Sequence, residues 1–100
     1  MSKYCYSLLC APEVEEKLLD ALLTTFDDEI FASMPVFSHG TAHGRLSAVE
    51  QVLGRSRSVF VQILVTAAEA AVLNALLHRD FAGTGIRFWM TSLVAEGEIA

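Results

Sequence analysis

The side chains best suited to bind a small charged ligand are concentrated in one stretch, FSHGTAHGRLSAVEQVLGRSRS, at positions 37–58. This stretch carries two of the chain's three histidines and three of its five arginines, against a single acidic residue. Guanidinium groups bind phosphate oxygens in a bidentate manner, and glycine lets backbone amides approach the same anion. The pattern predicts a basic loop, from about Gly40 to Arg57, that binds an anion through Arg45, Arg55 and Arg57.

The two histidines of the same stretch offer a second kind of chemistry. His39 and His43 are four residues apart, and imidazole is a ligand for zinc, copper and nickel. Two ligands do not complete a metal shell, so Asp, Glu, Cys or symmetry-related copies would have to supply the rest. The alternative is that both histidines are solvated. His78, near the predicted end of a helix, is better explained as a C-terminal cation.

Other chemistry finds less support in the sequence. The arginines of the loop have a structural alternative, since they could pair with acids of a neighbouring copy. No nucleophile and base stand in a convincing sequence context, so we expect no enzyme activity. Nucleic-acid binding is disfavoured by the net charge of -5, and because only Arg87 and Trp89 combine charge and aromaticity on one strand face.

Length and composition bound the architecture that positions these residues. One hundred residues predict a single domain, spanning 1–100. Apolar residues are 53% of the chain and charged residues 19%, below the roughly one quarter of an average domain. No apolar run reaches the roughly 18 residues of a membrane span, and the first residues lack the order of a secretion signal. We therefore expect a cytoplasmic protein that covers its excess apolar surface with copies of itself.

Hydrophobic periodicity and turn residues predict four strands and two main helices. Pro35 lies within the second strand and predicts an edge position, because proline cannot donate to a sheet ladder. Thr66 and Glu69 have the spacing of a capping box at the start of the second helix. The predicted elements are a strand at 4–10, a helix at 12–25, a strand at 30–39, a short helix at 46–53, a strand at 58–66, a helix at 66–79, a glycine turn at 81–85 and a strand at 86–94.

The order of the main elements is strand, helix, strand, strand, helix, strand. A weak repeat supports two related halves, because Leu18–Leu23 matches Val72–Leu77 at an offset of 54 residues. Two βαβ units of this size predict an α+β ferredoxin-like βαββαβ sandwich with an antiparallel sheet. In that fold the first and third strands are central. Their largely apolar composition on both faces agrees with that position.

The sheet face without helices is predicted to be apolar. Alternation along the third and fourth strands places Phe60, Leu64, Trp89 and Leu93 on this face. An uncovered face with such residues would be a large exposed apolar patch. We therefore expect the sheets of several copies to pack against one another.

This pattern resembles the PII-like superfamily, and more closely its short, uncharacterised group whose genes often sit near heavy-metal efflux systems. The local signals are the segment from Gly40 to Arg57 and the turn Gly83-Thr84-Gly85. The resemblance implies small ferredoxin-like signalling proteins that close into trimers through their sheets. The trimeric copper-tolerance proteins are similar in architecture.

The resemblance also implies where ligands and partners bind. The connection between the second and third strands would be a partner-binding loop, and the turn of Gly83, Thr84 and Gly85, with Arg87, would hold nucleotide phosphates in a cleft between subunits. The implied function is a regulator that senses an adenine nucleotide or similar anion and acts on a partner such as a membrane transporter or efflux protein. The alternative is a trimeric tolerance protein that binds zinc or copper through His39 and His43.

Overall fold

The computed structural model of the chain describes residues 2–40 and 55–100. Within these ranges the chain forms four strands, two α-helices and one 3-10 turn. The predicted helix at 46–53 lies outside the described residues. The elements are β1 (Lys3–Cys10), a 3-10 turn (Pro12–Val14), α1 (Glu15–Thr25), β2 (Phe31–Ser38), β3 (Ser56–Thr66), α2 (Ala67–Asp80) and β4 (Arg87–Ser92).

The strands form one antiparallel sheet in the order β2-β3-β1-β4. The central positions of β1 and β3 confirm the predicted ferredoxin-like arrangement. Pro35 lies on the edge strand β2, opposite Val59, as its missing N–H requires. The observed β4 is shorter than the predicted strand at 86–94, because its pairing with β1 ends at Ser92 opposite Tyr4.

Both helices cover the same face of the sheet, which we call the helix face. Directly opposed residues of neighbouring strands project to one side of a sheet, so the register defines this face. Its central positions are fully buried, and burying one such aliphatic side chain stabilises the fold by about 1.5–3 kcal/mol. The core of this face comprises Tyr6, Leu8, Val61, Ile63 and Val65 from the sheet, Leu18 and Leu22 from α1, and Leu73 and Leu77 from α2.

The helix boundaries follow from local chemistry. Pro12 opens the 3-10 turn, where its missing N–H costs no hydrogen bond, and α1 then ends at Thr25 as predicted. The capping box of α2 is confirmed: the Thr66 hydroxyl accepts from the Glu69 amide, and the Glu69 carboxylate accepts from the Thr66 amide. At the other end of α2, the Lys17 ammonium donates to the carbonyl of Asp80 at 2.9 Å.

The two cysteines lie on opposite faces of β1 and are both free. Cys10 is buried on the helix face, where burial, followed by the charges of Glu15 and Glu13, raises the pKa of its thiol to about 11. Cys5 is half-buried on the opposite side of the sheet, which we call the open face. Among the described residues, no helix is both long enough and apolar enough to cross a membrane.

Candidate functional site

The first part of the candidate site is the neck of the β2–β3 hairpin, where the strands extend beyond the end of β1. The last pair of this ladder is Ser38 opposite Ser56. The Ser38 hydroxyl lies 2.7 Å from the hydroxyls of both Ser56 and Ser58, and the latter two are each 8% exposed. This hydroxyl network on the open face fixes the position from which the chain enters and leaves segment 41–54.

The helix face of the same neck carries the predicted cations. The Arg55 guanidinium lies 4.2 Å from the centre of the Phe37 ring, and Arg57 is directly opposite Phe37 in the ladder. Both arginines are exposed. A guanidinium on an aromatic face is held by about 0.5–1 kcal/mol at an exposed site, and its N–H edge remains available to an anion.

The remaining loop residues of the prediction are only partly described. His39 is exposed immediately after β2, and Gly40 follows with a φ of 79°. His43 and Arg45 lie outside the described residues. In residues 2–40 and 55–100, no group of three histidine, cysteine or acidic side chains could hold a metal ion.

The second part of the candidate site is the turn between α2 and β4. Gly83 and Gly85 have φ values of 79° and 81°, a conformation that glycine adopts without strain. The Thr84 amide and hydroxyl both donate to the carbonyl of Phe81, at 3.2 and 2.7 Å. Thr84 is therefore committed to the turn itself. The amides of Gly83 and Gly85 make no hydrogen bond to any described residue, so they are the groups that can meet an anion.

A shallow cleft of about 190 Å³ adjoins this turn on the helix face. It is mainly apolar, with His78 as its only ring nitrogen donor or acceptor, and Nδ1 of that ring lies 2.8 Å from the carbonyl of Asn74. Pockets that enclose small organic ligands measure roughly 300–1,000 Å³. One chain therefore encloses less than such a ligand needs. The lining residues are Leu77, His78, Phe81, Ala82, Gly83, Gly85, Ile86 and Phe88.

The neck and the glycine turn lie at the same end of the sheet but do not form one site within the chain. Arg87 is opposite Leu9, which is opposite Phe60, so Arg87 belongs to the open face. Arg57 belongs to the helix face. Two strand spacings place these arginines about 10 Å apart across the sheet, and three residues add about 10 Å along it. Arg57 and Arg87 therefore cannot hold one phosphate together in a single chain.

The open face is apolar with a small polar centre. Phe60 and Trp89 stack at 5.7 Å between ring centres, and Trp89 is 45% exposed. Beneath these rings Ser7 is only 2% exposed. The Gln62 amide nitrogen lies 3.4 Å from both the Ser7 oxygen and the Cys5 sulfur. Sequence reasoning noted Gln62 alone; the parity of Cys5 and Ser7 along β1 was the signal for the cluster.

The predicted interface residues divide between the face and its margin. Phe60, Leu64 and Trp89 are on the open face, as predicted. Leu93 follows the end of β4 and donates its amide to the carbonyl of Lys3 at 3.4 Å. The open face is continuous from Met34 on β2 to Trp89 on β4.

A charged cluster lies at the opposite end of the sheet. The Lys3 ammonium is 2.9 Å from the Glu29 carboxylate and 3.8 Å from Glu96. The hydrogen bond to Glu29 is the main reason that the pKa of Lys3 is raised. The cluster joins β1 to the turn before β2 and to the C-terminal segment, and it is remote from the arginines of the neck.

Comparison with protein families gives a match over the whole chain. Residues 1–100 match a family described as "Protein of unknown function (DUF3240)". The chain belongs to the DUF3240 family. The comparison with curated proteins gave no match.

Solved structures confirm the fold of this DUF3240 protein. A DUF3240 family protein from Shewanella baltica OS155 is 14% identical with a TM-score of 0.79, covering 100% of this chain and 99% of that one. A protein from Thermus thermophilus, described as PII-like in signalling, is 10% identical with a TM-score of 0.67, covering 93% and 88%. The periplasmic divalent cation tolerance protein CutA from Archaeoglobus fulgidus is 11% identical with a TM-score of 0.68, covering 98% and 89%. The chain therefore has a PII-like and CutA-like fold.

Proposed function

We propose that this DUF3240 protein is a cytoplasmic, PII-like signalling or adaptor protein that works as a trimer. Its open sheet faces pack together, and a small anionic ligand such as an adenine nucleotide binds between copies. The bound state regulates a partner protein, for which a membrane transporter or efflux component is the leading class. The role is binding, without catalysis.

The separation of the anion-binding groups within one chain carries this proposal. The arginines of the neck and the free amides of Gly83 and Gly85 share one end of the sheet, but the sheet keeps them on different strands and faces. The cleft beside the turn is also too small for a nucleotide. A second copy that brings its neck to this turn would complete both the charge and the enclosure.

The size and composition of the open face support association. Four strands at about 4.8 Å and strands of about eight residues at about 3.3 Å give a face of roughly 500 Å². This exceeds the few hundred Å² of apolar patch that monomers normally expose, and it approaches the roughly 800 Å² per partner of a standard interface. A ligand at the edge of such an assembly can report its presence to a partner only by favouring one of two states.

Native mass spectrometry of the purified protein, with and without adenine nucleotides and divalent metals, tests the proposal. We expect a trimer that retains nucleotide. Arg55→Ala combined with Arg57→Ala should leave the trimer intact and weaken nucleotide binding by roughly tenfold or more, because two guanidinium contacts are lost. Arg79→Ala is the matched control, since Arg79 is an exposed arginine paired with Asp80 at 2.9 Å on α2.

Two outcomes would contradict the proposal. Nucleotide binding that is unchanged in the double arginine variant would remove the neck from the site. A trimer that takes up zinc or copper instead, and loses it when His39 and His43 are replaced by alanine, would favour the metal-tolerance alternative. The similarity in fold to CutA is the observation that keeps this alternative in the experiment.

A further inference from the structure

Three residues form a row across the middle of the open face. Gln62 of β3 is opposite Ser7 of β1, and Ser7 is opposite Trp89 of β4. The three side chains therefore project from the same side of the sheet. Ser7 is sealed at 2% exposure, while Gln62 is half-buried and Trp89 is 45% exposed. The two outer members of the row are thus the polar groups that another molecule can reach.

Gln62 has one hydrogen-bonding group left over. Its amide nitrogen carries two hydrogens, and this nitrogen is 3.4 Å from both the Ser7 oxygen and the Cys5 sulfur. Its carbonyl oxygen accepts no hydrogen bond from any residue in ranges 2–40 and 55–100, and it is not sealed from solvent. Gln62 therefore presents an acceptor to whatever covers the open face.

Trp89 presents the complementary group. Its ring is held against Phe60 with an angle of 24° between the planes. Its indole N–H is a donor only, and it finds no acceptor in the described part of the chain. Gln62 and Trp89 are two strand spacings apart, about 10 Å, and make no hydrogen bond to each other. The face thus carries one spare donor and one spare acceptor at different positions.

We propose that the indole N–H of Trp89 in one copy donates to the amide oxygen of Gln62 in a neighbouring copy, and that this pair sets the register of the packed sheets. The inference rests on the proposed self-association. A second copy is the fitting partner because it supplies both complementary groups in a ring of identical contacts. An apolar face alone permits many sliding registers, whereas a misplaced register leaves a buried donor and a buried acceptor without partners.

The test uses Gln62→Met, Trp89→Phe and the double variant. Met keeps the length of Gln62 without its amide, and Phe keeps a ring against Phe60 without the N–H. Each single variant leaves one buried polar group unpaired, and we expect it to raise the dissociation concentration of the assembly by roughly tenfold or more by sedimentation equilibrium. The double variant leaves neither group unpaired, so it should dissociate at a lower concentration than either single variant. Met90→Leu, an exposed position on the helix face of β4, should behave as wild type.

A second measurement needs no variant that might disturb folding. Trp89 is the only tryptophan, so one indole N–H signal appears in a ¹H–¹⁵N spectrum. In the assembled wild-type protein we expect this hydrogen to exchange roughly tenfold or more slower than in diluted, dissociated protein, because a buried hydrogen bond protects it.

The outcomes separate this inference from the proposed function. Single variants that are silent, single effects that simply add in the double variant, or an indole N–H that exchanges freely in the assembly would each overturn the pair while leaving self-association in place. A wild-type protein that stays monomeric at hundreds of micromolar would overturn the assembly and the pair together.

Discussion

At the scale of single residues, the junction of β3 and α2 shows how one pair of side chains fixes the start of a helix. The Glu69 carboxylate accepts from the Thr66 amide at 2.8 Å, and the Glu69 amide donates to the Thr66 hydroxyl at 3.2 Å. The hydrogen bond from the Thr66 backbone is the largest of the effects that lower the pKa of Glu69 below its usual 4.5. Burial opposes this shift, and the charge of Lys3 adds to it.

The capping box predicts a specific pH dependence. A carboxyl whose pKa is lower in the folded state contributes stability above the unfolded value of about 4.5, and this contribution is lost as the pH falls through the folded pKa. The free energy of unfolding should therefore fall below about pH 4.5, and it should fall less steeply in Glu69→Gln, whose amide oxygen still accepts from Thr66. Urea denaturation at several pH values measures the difference. Glu98→Gln, in the exposed C-terminal segment, should retain the wild-type slope.

At the scale of elements, the turn between α2 and β4 positions the candidate anion site. Its shape depends on two residues with positive φ, because α2 must end at Asp80 and β4 must begin at Arg87 beside Leu9. Among the described residues, only glycines have positive φ. The turn is thus defined by backbone conformation rather than by side-chain packing.

Gly83→Ala should destabilise the protein by about 1–2 kcal/mol, the cost of a left-handed conformation for a residue with a Cβ atom. A Cβ atom at Gly83 meets nothing within 4 Å, so no steric clash contributes. Gly97→Ala is the matched control, because its Cβ atom also meets nothing and its φ is not positive. Thermal unfolding of both variants measures the difference. Equal stability of the two would show that the turn relaxes without cost.

At the scale of the whole molecule, the two sheet faces differ in what covers them. The helices bury the centre of the helix face, but they leave the edge strand β4 exposed along its length. The open face has no covering element among the described residues, and its apolar side chains run from β2 to β4. Two methionines of similar exposure, Met34 at 47% and Met90 at 45%, mark the two faces.

This pair of methionines gives a matched test of which face associates. Met34→Asp places a charge on the open face, where packing would strip it of water, and should shift the protein to the monomer. Met90→Asp places the same charge on the helix face and should leave the assembly unchanged. Sedimentation velocity measures the oligomeric state, and the emission maximum of the single Trp89 should move to longer wavelength only in Met34→Asp. The reverse pattern would show that association uses the helix face.

Local chemistry made much of this fold predictable from the sequence. The capping box at Thr66, the end of α1 at Thr25 and the edge position of Pro35 each depend on hydrogen bonds or steric limits within a few residues. The strand order followed because two βαβ halves with apolar central strands have few alternative topologies. The glycine turn before β4 was likewise visible, because its residue types are those that a positive φ requires.

The arrangement of the candidate site was decided only by the tertiary structure. The sequence could place arginines near both ends of a cleft, but it could not show that Arg57 and Arg87 project from opposite faces. It also could not bring Gln62, Ser7 and Trp89 into one row. These relations depend on the register between strands that are distant in the chain, and a shift of one residue would turn every side chain to the other face. Register is fixed by how the whole apolar core packs, and no short segment contains that information.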